Sequence, residues 1–359
     1  MWKGNKGEWS ELYTFLKLLS EGKLYAADAN LEKIHDIYYP LIKILRFEKG
    51  SELEYFYTDQ MIILEDKTNN ASVKIPISEF KDQSLLLLEK IKKAKGPSFY
   101  ISEIEDFLYA IQYDTLKAKS ADKSDIRIMV HDPITGLRPT LGFSIKSKLG
   151  GSSTLFNAGK STNFVYKLNG DINDKDMQDI NKIEGRSKIR ARMEAIKDKG
   201  ITLTFKEVPH EMFNLNLKVI DSGISVILAT FLKYYYNGYG SKLFDLLPQV
   251  QIDNPCNFNN TLGHDFYEYK IKKFMIDVAL GMTPSKVWTG KFDATGGYIV
   301  VKEDGEVLCY HVYNHNEFQD YLLTNVKFET PSSTRHNFGK VYKRDEEYFI
   351  NLNLQLRFI

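Results

Sequence analysis

A chain of 359 residues, 43% apolar and 13% aromatic, can bury one large core or two modest ones. Its formal net charge of +1 excludes a general polycation, although basic groups gathered in one cleft would still allow specific contact with nucleic acid. Two cysteines, Cys256 and Cys309, give neither a disulfide framework nor a zinc cluster, so we expect a reducing, cytoplasmic environment.

The sequence predicts no membrane association. The first residues include lysine and glutamate and lack the apolar run of a signal peptide. The most hydrophobic stretch, residues 219–236, contains Asp221 and Lys233, so it indicates a core helix and not a bilayer-spanning one.

The first predicted element is an amphipathic helix over residues 7–20. Glu8 lies on its apolar side and Glu11 on the flank of the apolar stripe, which is formed by Trp9, Leu12, Leu16 and Leu19. A carboxylate that faces a core is costly without a partner, whereas the dipole favours an acid in the first turn. Glu8 is therefore either a functional acid or a helix-terminus residue.

An α+β region with few catalytic candidates follows. The patterns predict short strands at 24–26, 42–47, 53–57, 61–64 and 73–75, and then helices over 79–95 and 101–112. This part is either a small N-terminal lobe or one portion of a continuous fold.

Residues 124–148 predict two strands joined by a turn. Apolar residues alternate with others from 126 to 130, and Pro133, Gly136 and Pro139 supply turn chemistry. In the second strand, residues 142–146, Ser144 and Lys146 share the polar face.

A hairpin of this size brings Asp125, at the start of its first strand, beside Lys146 on the second. A carboxylate next to an ammonium group can hold a divalent cation and orient a water molecule, as metal-assisted phosphodiester hydrolysis requires. The alternative is an ordinary amphipathic hairpin with a solvated lysine, because this spacing alone is a weak signal.

The segment after the hairpin offers candidate phosphate contacts. Residues 150–154 form a hydroxyl-rich turn and 162–166 predict a strand, so Lys148, Ser152, Thr154 and Asn163 are candidates for DNA binding. A plain loop is the alternative. Residues 171–199, predicted helical, form the most basic stretch, which would either follow a DNA backbone or be a solvated helix face.

The remainder predicts a strand at 201–207, one long helix over 210–238, a helix over 265–280 and a β-rich last quarter. A polar loop at 331–340 carries Arg335 and His336. Because arginine pairs bidentately with guanine, we expect Arg335 to read bases. A contact with phosphate or with solvent only is the alternative.

Other chemistries have little support. His311 and His315 have a ligand-like spacing, but His311 lies in a predicted strand, which argues against a zinc site. The chain has no Walker loop and no dinucleotide-binding glycine motif.

The hairpin resembles the PD-(D/E)xK nuclease motif, with Ser124-Asp125 at the Pro-Asp position and Ser144-Ile145-Lys146 at the (D/E)-x-K position. More specifically, the chain resembles the HpaII-type restriction endonucleases. The segments that carry this resemblance are 3–11 (KGNKGEWSE), 142–150 (GFSIKSKLG), 154–158 (TLFNA), 162–166 (TNFVY) and 352–358 (LNLQLRF). The resemblance therefore extends over essentially the whole chain.

The resemblance implies a restriction-endonuclease-like core, with a central mixed β-sheet flanked by helices in an α/β (α+β mixed) fold and an additional β-rich C-terminal region. It implies three parts: 1–120, 121–210 with the catalytic motif, and 211–359 for DNA recognition, which could also form one continuous domain.

The resemblance also implies Mg²⁺ and a set of catalytic residues. Ser144 departs from the motif because a hydroxyl cannot replace its second carboxylate. The missing acid is Glu8, Glu11 or Asp132, and we expect Glu8. Asp125, Glu8 and the Ile145 carbonyl would then bind the metal, while Lys146 orients the attacking water.

The implied function is that of a type II restriction endonuclease that cuts double-stranded DNA at a short sequence, with CCGG as the family's candidate. A cognate DNA methyltransferase is the implied genetic partner, and a homodimer is left open. The alternatives are an inactive sequence-specific DNA-binding protein and a repair nuclease.

Overall fold

The computed structural model describes residues 2–116, 124–133, 135–311 and 313–359. The helices of these residues are α1 (Lys6–Glu21), α2 (Ile77–Lys93), α3 (Glu105–Ala110), α4 (Asp174–Lys182), α5 (Lys188–Asp198), α6 (Glu211–Ile220), α7 (Ile224–Tyr236), α8 (Leu243–Asp253), α9 (Phe266–Leu280), α10 (His315–Asn325) and α11 (Ser333–His336).

The strands of the same residues are β1 (Lys3–Gly4), β2 (Lys23–Ala27), β3 (Lys33–Glu48), β4 (Ser51–Tyr57), β5 (Met61–Asp66), β6 (Ala71–Pro76), β7 (Phe99–Tyr100), β8 (Ile126–Val130), β9 (Thr140–Ser147), β10 (Thr154–Phe156), β11 (Asn163–Asn169), β12 (Thr202–Glu207), β13 (Gly297–Val301), β14 (Val307–His311), β15 (Val326–Phe328), β16 (Val341–Arg344), β17 (Glu347–Asn353) and β18 (Leu356–Phe358). The predicted mixture of helices and sheets is confirmed.

The chain divides into two compact units. Unit 1 comprises Met1–Ser153 and Asp293–Tyr321, and unit 2 comprises Thr154–Phe292 and Leu322–Ile359. Each unit therefore combines segments that are distant in sequence.

Unit 1 is built on a mixed sheet. Its strands pair in the order β2-β14-β13-β9-β8-β3-β4-β5-β6, with parallel pairs β9–β13 and β2–β14. The 16-residue β3 pairs with β2 through its first half and with β8 and β4 through its second half. Because β2 also pairs with β14, six of these strands close into a ring.

Helix α1 packs its apolar face into the core of unit 1. Trp9, Leu12, Leu16 and Leu19 are completely buried, as their predicted stripe requires. The helix begins after Asn5 and ends at Glu21, and the C-cap Gly22 has a left-handed backbone (φ 65°) that suits glycine. This anchoring fixes the direction in which the acids of α1 point.

Unit 2 contains two smaller sheets. One has the order β12-β11-β17-β16 and the other β10-β18-β15, and the helices that belong wholly to this unit are α4–α9 and α11. Helix α7 supplies much of its core, for example through Ile227, Leu228 and Phe231, which are fully buried.

Two helix predictions in unit 2 were wrong. The long helix over 210–238 is two helices, α6 and α7, bent by 108°. The Asp221 carboxylate accepts a hydrogen bond from the Gly223 N–H (2.8 Å), which favours a turn over helix continuation. The predicted helix 171–199 is likewise divided into α4 and α5, and Gly185 between them has φ 119°.

The polar loop at 331–340 also differs from its prediction because it contains the short helix α11. No single helix among the described residues has the length and apolar composition to cross a membrane, although the bent α6–α7 pair meets that test when taken together.

Candidate active site

The β8–β9 hairpin forms as predicted. Ile126 pairs with Phe143 and Ile128 with Leu141, and the Asp125 N–H donates to the Phe143 carbonyl (2.9 Å). Phe143 and Ile145 are buried, whereas Ser144 and Lys146 are only half-buried. The predicted alternation of the second strand is therefore confirmed.

The Asp125 carboxylate is held at the open end of this hairpin. Its Oδ2 accepts hydrogen bonds from the Ser144 hydroxyl (3.1 Å) and the Ile145 N–H (2.6 Å). These donors fix the position of the carboxylate. Ser144, which cannot act as the second acid, instead orients the first.

Lys146 lies in the same electrostatic cluster. Its Nζ is 5.3 Å from the centre of the Tyr298 ring, on the strand that pairs with β9. Burial lowers the pKa of Lys146, while the charges of Asp125 and Glu11 act in the opposite direction. The ammonium is therefore poorly solvated and faces two acids.

Glu11 is the acid of α1 that belongs to this cluster. The pKa of Glu11 is raised to about 8, first by burial and then by the charges of Asp125 and Glu8, while Lys146 and Arg46 act in the opposite direction. Near neutral pH this carboxyl is therefore largely protonated, and a nearby cation would favour its ionisation.

Glu8 has a different role. Its carboxylate accepts a hydrogen bond from the Asn5 N–H (2.8 Å), and the Asn5 side chain accepts one from the Glu8 N–H (3.0 Å). This reciprocal pair is a capping box. Of the two possibilities left by the sequence, the geometry fits the helix-terminus residue, and the expectation that Glu8 is the missing acid stays a prediction beside Glu11.

Asp132 lies at the other end of strand β8 and makes hydrogen bonds within its own turn. Its carboxylate accepts hydrogen bonds from the Thr135 hydroxyl and N–H, and its N–H donates to the Leu137 carbonyl. The pKa of His311 is lowered to about 4 by burial, and the negative charge of Asp132 acts in the opposite direction. Asp132 is therefore a structural acid.

The oxygen atoms near Asp125 suit a hard cation. No group of three or more His, Cys, Asp or Glu side chains within the described residues is arranged to hold a metal. A cation beside Asp125 would therefore need backbone or water oxygens as well as carboxylates. Mg²⁺ commonly keeps several waters in this way.

Comparison with known proteins identifies the family. A family model described as HpaII restriction endonuclease matches residues 5–358. The chain belongs to the HpaII restriction endonuclease family. It is 46% identical over 357 residues to the type II restriction enzyme HpaII of Haemophilus parainfluenzae, covering 99% of this chain and 98% of that protein. No solved structure matches the chain.

The predicted family and activity are thus confirmed: the protein is a type II restriction endonuclease, a site-specific deoxyribonuclease. A restriction endonuclease acts on double-stranded DNA, so the remaining predicted residues can be considered as DNA contacts. Lys148 and Ser152 are half-buried in unit 1, and Thr154 is half-buried in unit 2, where it pairs with Arg357 across β10 and β18.

Asn163 does not fit a direct DNA contact. It is buried, its amide donates to the carbonyls of His336 (3.0 Å) and Asn337 (3.3 Å), and its oxygen accepts from the Asn353 amide (2.6 Å). The prediction is therefore revised: Asn163 supports the segment that carries Arg335, which is itself exposed on α11.

Tyr298 is a member of the site that sequence reasoning missed. It pairs in register with Ser144 in the parallel β9–β13 pair, and the Asp125 charge contributes to raising its pKa, after the larger effect of burial. Nothing local in the sequence indicates this pairing, because 153 residues separate the two positions on the chain. The role of Glu8, in contrast, had a local signal, namely Asn5 three residues before it.

Proposed function

We propose that this HpaII-family enzyme hydrolyses phosphodiester bonds in double-stranded DNA with Mg²⁺, using Asp125, Glu11, Lys146, Ser144 and the Ile145 carbonyl. The observation that carries the proposal is the Asp125 carboxylate, fixed by Ser144 and Ile145, in electrostatic contact with Glu11 and Lys146. The mixed sheet of unit 1 with its packed helix α1 is consistent with a restriction-endonuclease-like core.

The residues fit a magnesium ion. Two carboxylates that share a poorly solvated space repel each other, and the raised pKa of Glu11 records that repulsion and the burial. A divalent cation would relieve both effects, because it pairs with the charged forms. Asp125, Glu11 and the Ile145 carbonyl would hold the ion.

Bound there, Mg²⁺ would neutralise charge on the scissile phosphate and lower the pKa of an attacking water. Lys146, held in place over Tyr298, would orient that water and stabilise the charge that develops on the phosphate. Ser144 would keep Asp125 in position. Together these effects must lower the barrier by roughly 20 kcal/mol, since uncatalysed hydrolysis is extremely slow.

The test is a digest of phage DNA by the purified enzyme with Mg²⁺, with EDTA and with Ca²⁺. Discrete fragments with defined double-strand ends in Mg²⁺ alone are expected. Binding to one sequence without cleavage in Mg²⁺ would instead favour the inactive DNA-binding protein. Nicks or structure-dependent cuts would favour a repair nuclease.

The substrate sequence that similarity to HpaII favours is CCGG. This sequence is palindromic, so a homodimer would provide one active site for each strand. Three measurements test these proposals. Cleavage of CCGG duplexes tests the recognition sequence, protection of the site by a DNA methyltransferase tests the genetic partner, and the mass of the DNA complex tests the homodimer. A cytoplasmic location agrees with this reaction.

For DNA recognition we propose unit 2, which contains most of residues 211–359. Arg335 is the base-reading candidate, since it is exposed and the segment beside it is anchored by Asn163. The base that Arg335 would read is guanine, because a guanidinium can donate two parallel hydrogen bonds to its O6 and N7 atoms.

A further inference from the structure

Unit 2 contains a cavity of about 490 Å³ whose wall combines arginines with hydroxyl groups. That volume lies within the range of small-ligand sites. Its polar lining consists of Arg186, Ser187, Arg190, Tyr235, Ser241 and Thr330. The cavity thus brings together the start of α5, the end of α7 and the residues after β15.

Four cations around α4 and α5 are engaged within the protein. The pairs are Lys182–Asp179, Lys188–Glu184 and Lys199–Asp176, and the buried Arg192 donates to the carbonyls of Asn181, Ile183 and Gly339. Arg186 and Arg190 differ, because among the described residues no carboxylate lies within 4.0 Å of either guanidinium. Both are exposed and line the same cavity.

Arg190 lies against the turn at Gly238, where its Nη2 donates a 3.5 Å hydrogen bond to the Gly238 carbonyl. A Cβ at this glycine would be 2.3 Å from Arg190 Nη2 and 2.7 Å from its Cζ, and Gly238 has φ +84°. Arg190 therefore lies at the cavity wall, and its positive charge is not neutralised by a carboxylate of the described residues.

The aromatic side chain Tyr235 in the cavity wall already contacts other residues of the protein. The Tyr235 ring stacks on Phe328, with centroids 5.4 Å apart and 25° between the planes, and its hydroxyl shares a 2.9 Å hydrogen bond with Thr330. One face of the ring and its hydroxyl are therefore committed. The groups that remain are cationic and hydroxylic, which suits a phosphate better than a stacked base.

We propose that the Arg186–Arg190 cavity binds a phosphate of the DNA backbone and so helps to position the duplex on unit 2. The inference rests on the DNA substrate of the proposed function. Arginine forks match phosphate oxygens bidentately, and phosphate contacts fix the register of a protein on DNA without reading its sequence.

The test measures the affinity of the full-length enzyme, in Ca²⁺, for a CCGG duplex and a random duplex over a series of salt concentrations. Arg186→Ala and Arg190→Ala should each weaken binding to both duplexes about tenfold. The double variant should reduce the slope of log K against log salt by about 2. Arg190→Lys should retain the slope and bind more weakly, because charge remains and the fork is lost.

The matched control is Lys218→Ala, which removes one exposed cation from α6 of the same unit and should leave the slope unchanged. Thermal unfolding of each variant reports whether the fold is intact. An unchanged slope in the folded double variant would overturn the proposal, as would a loss confined to the CCGG duplex.

Calorimetry with inorganic phosphate and with a mononucleotide separates the sources of the phosphate. Saturable binding of either in the wild type, lost in the double variant while the DNA slope is unchanged, would assign the cavity to a free phosphate compound and contradict the DNA assignment. Because these assays measure binding without cleavage, their result is independent of whether Asp125 and Glu11 form the catalytic site.

Discussion

The two ends of strand β8 each carry an aspartate, and their surroundings are opposite. Asp132 is buried, and its carboxylate accepts hydrogen bonds from Thr135 within its own turn. Asp125 is half-buried, is held by donors from β9, and faces Lys146 and Glu11. The comparison teaches that the proposed catalytic acid is distinguished from the structural one by residues brought from elsewhere in the chain.

The largest expected effect is the contrast between the two aspartates. Asp125→Asn should reduce Mg²⁺-dependent cleavage by at least about 10³-fold, because it removes a charged metal ligand. Asp132→Asn should cleave within a few-fold of wild type and lose about 1 kcal/mol of stability from its turn. Single-turnover cleavage and urea unfolding measure these effects. An active Asp125→Asn with an inactive Asp132→Asn would move the site to the turn.

Lys146→Ala should slow cleavage by about 10²–10³-fold and leave DNA binding in Ca²⁺ intact, since the ammonium acts on the reacting groups and not on the duplex as a whole. Gel-shift titration beside the cleavage assay separates the two functions. Lys74→Ala, an exposed cation on β6 of the same sheet, is the control and should behave as wild type. Near-normal cleavage by Lys146→Ala would disprove the assignment.

For Arg335→Ala we expect a loss of about 1–3 kcal/mol in affinity for the cognate duplex, with nonspecific binding and the salt slope nearly unchanged. The contrast with Arg186 and Arg190 is direct, because a phosphate contact weakens both kinds of duplex alike. Equal losses on cognate and random DNA would make Arg335 a phosphate ligand.

The smallest expected effect is on the stability of the metal-free enzyme. Glu11 has a pKa of about 8 in the folded state and an ordinary value in the unfolded chain, so the unfolded state binds fewer protons between about pH 4.5 and pH 8. Stability should therefore fall as the pH rises through this range, by on the order of 2 kcal/mol. Urea unfolding in EDTA measures this pH dependence, and Glu11→Gln should remove it. An identical dependence of stability on pH in the wild type and in Glu11→Gln would show that Glu11 is not buried near negative charge.

Much of the hairpin could be predicted because its signals are local. The alternation at 126–130 and 142–146 depends on neighbouring residues, and the turn brings Asp125 beside Ser144. The break between α6 and α7 was missed because continuous apolar periodicity conceals the short turn at Asp221 and Gly223. Hydrophobic pattern alone does not record such a side-chain hydrogen bond.

The sequence alone could not distinguish the surroundings of the two acids of α1, Glu8 and Glu11. A helical wheel places Glu8 nearer the core stripe, yet the first turn commits its carboxylate to the Asn5 N–H. Glu11, one turn later, meets Asp125 and Lys146 only because β8 and β9 lie in the sheet against which α1 packs. The local periodicity of a sequence does not predict contacts between residues that are more than a hundred positions apart.

The cleavage rates of Glu11→Gln and Glu8→Gln, measured side by side in Mg²⁺, test the account most directly. Glu11→Gln should lose at least about 10²-fold in rate and remain folded. Glu8→Gln should cleave within about tenfold of wild type and lose about 1 kcal/mol of stability with its cap. An inactive Glu8→Gln beside an active Glu11→Gln would return the second acid to Glu8 and contradict the site described here.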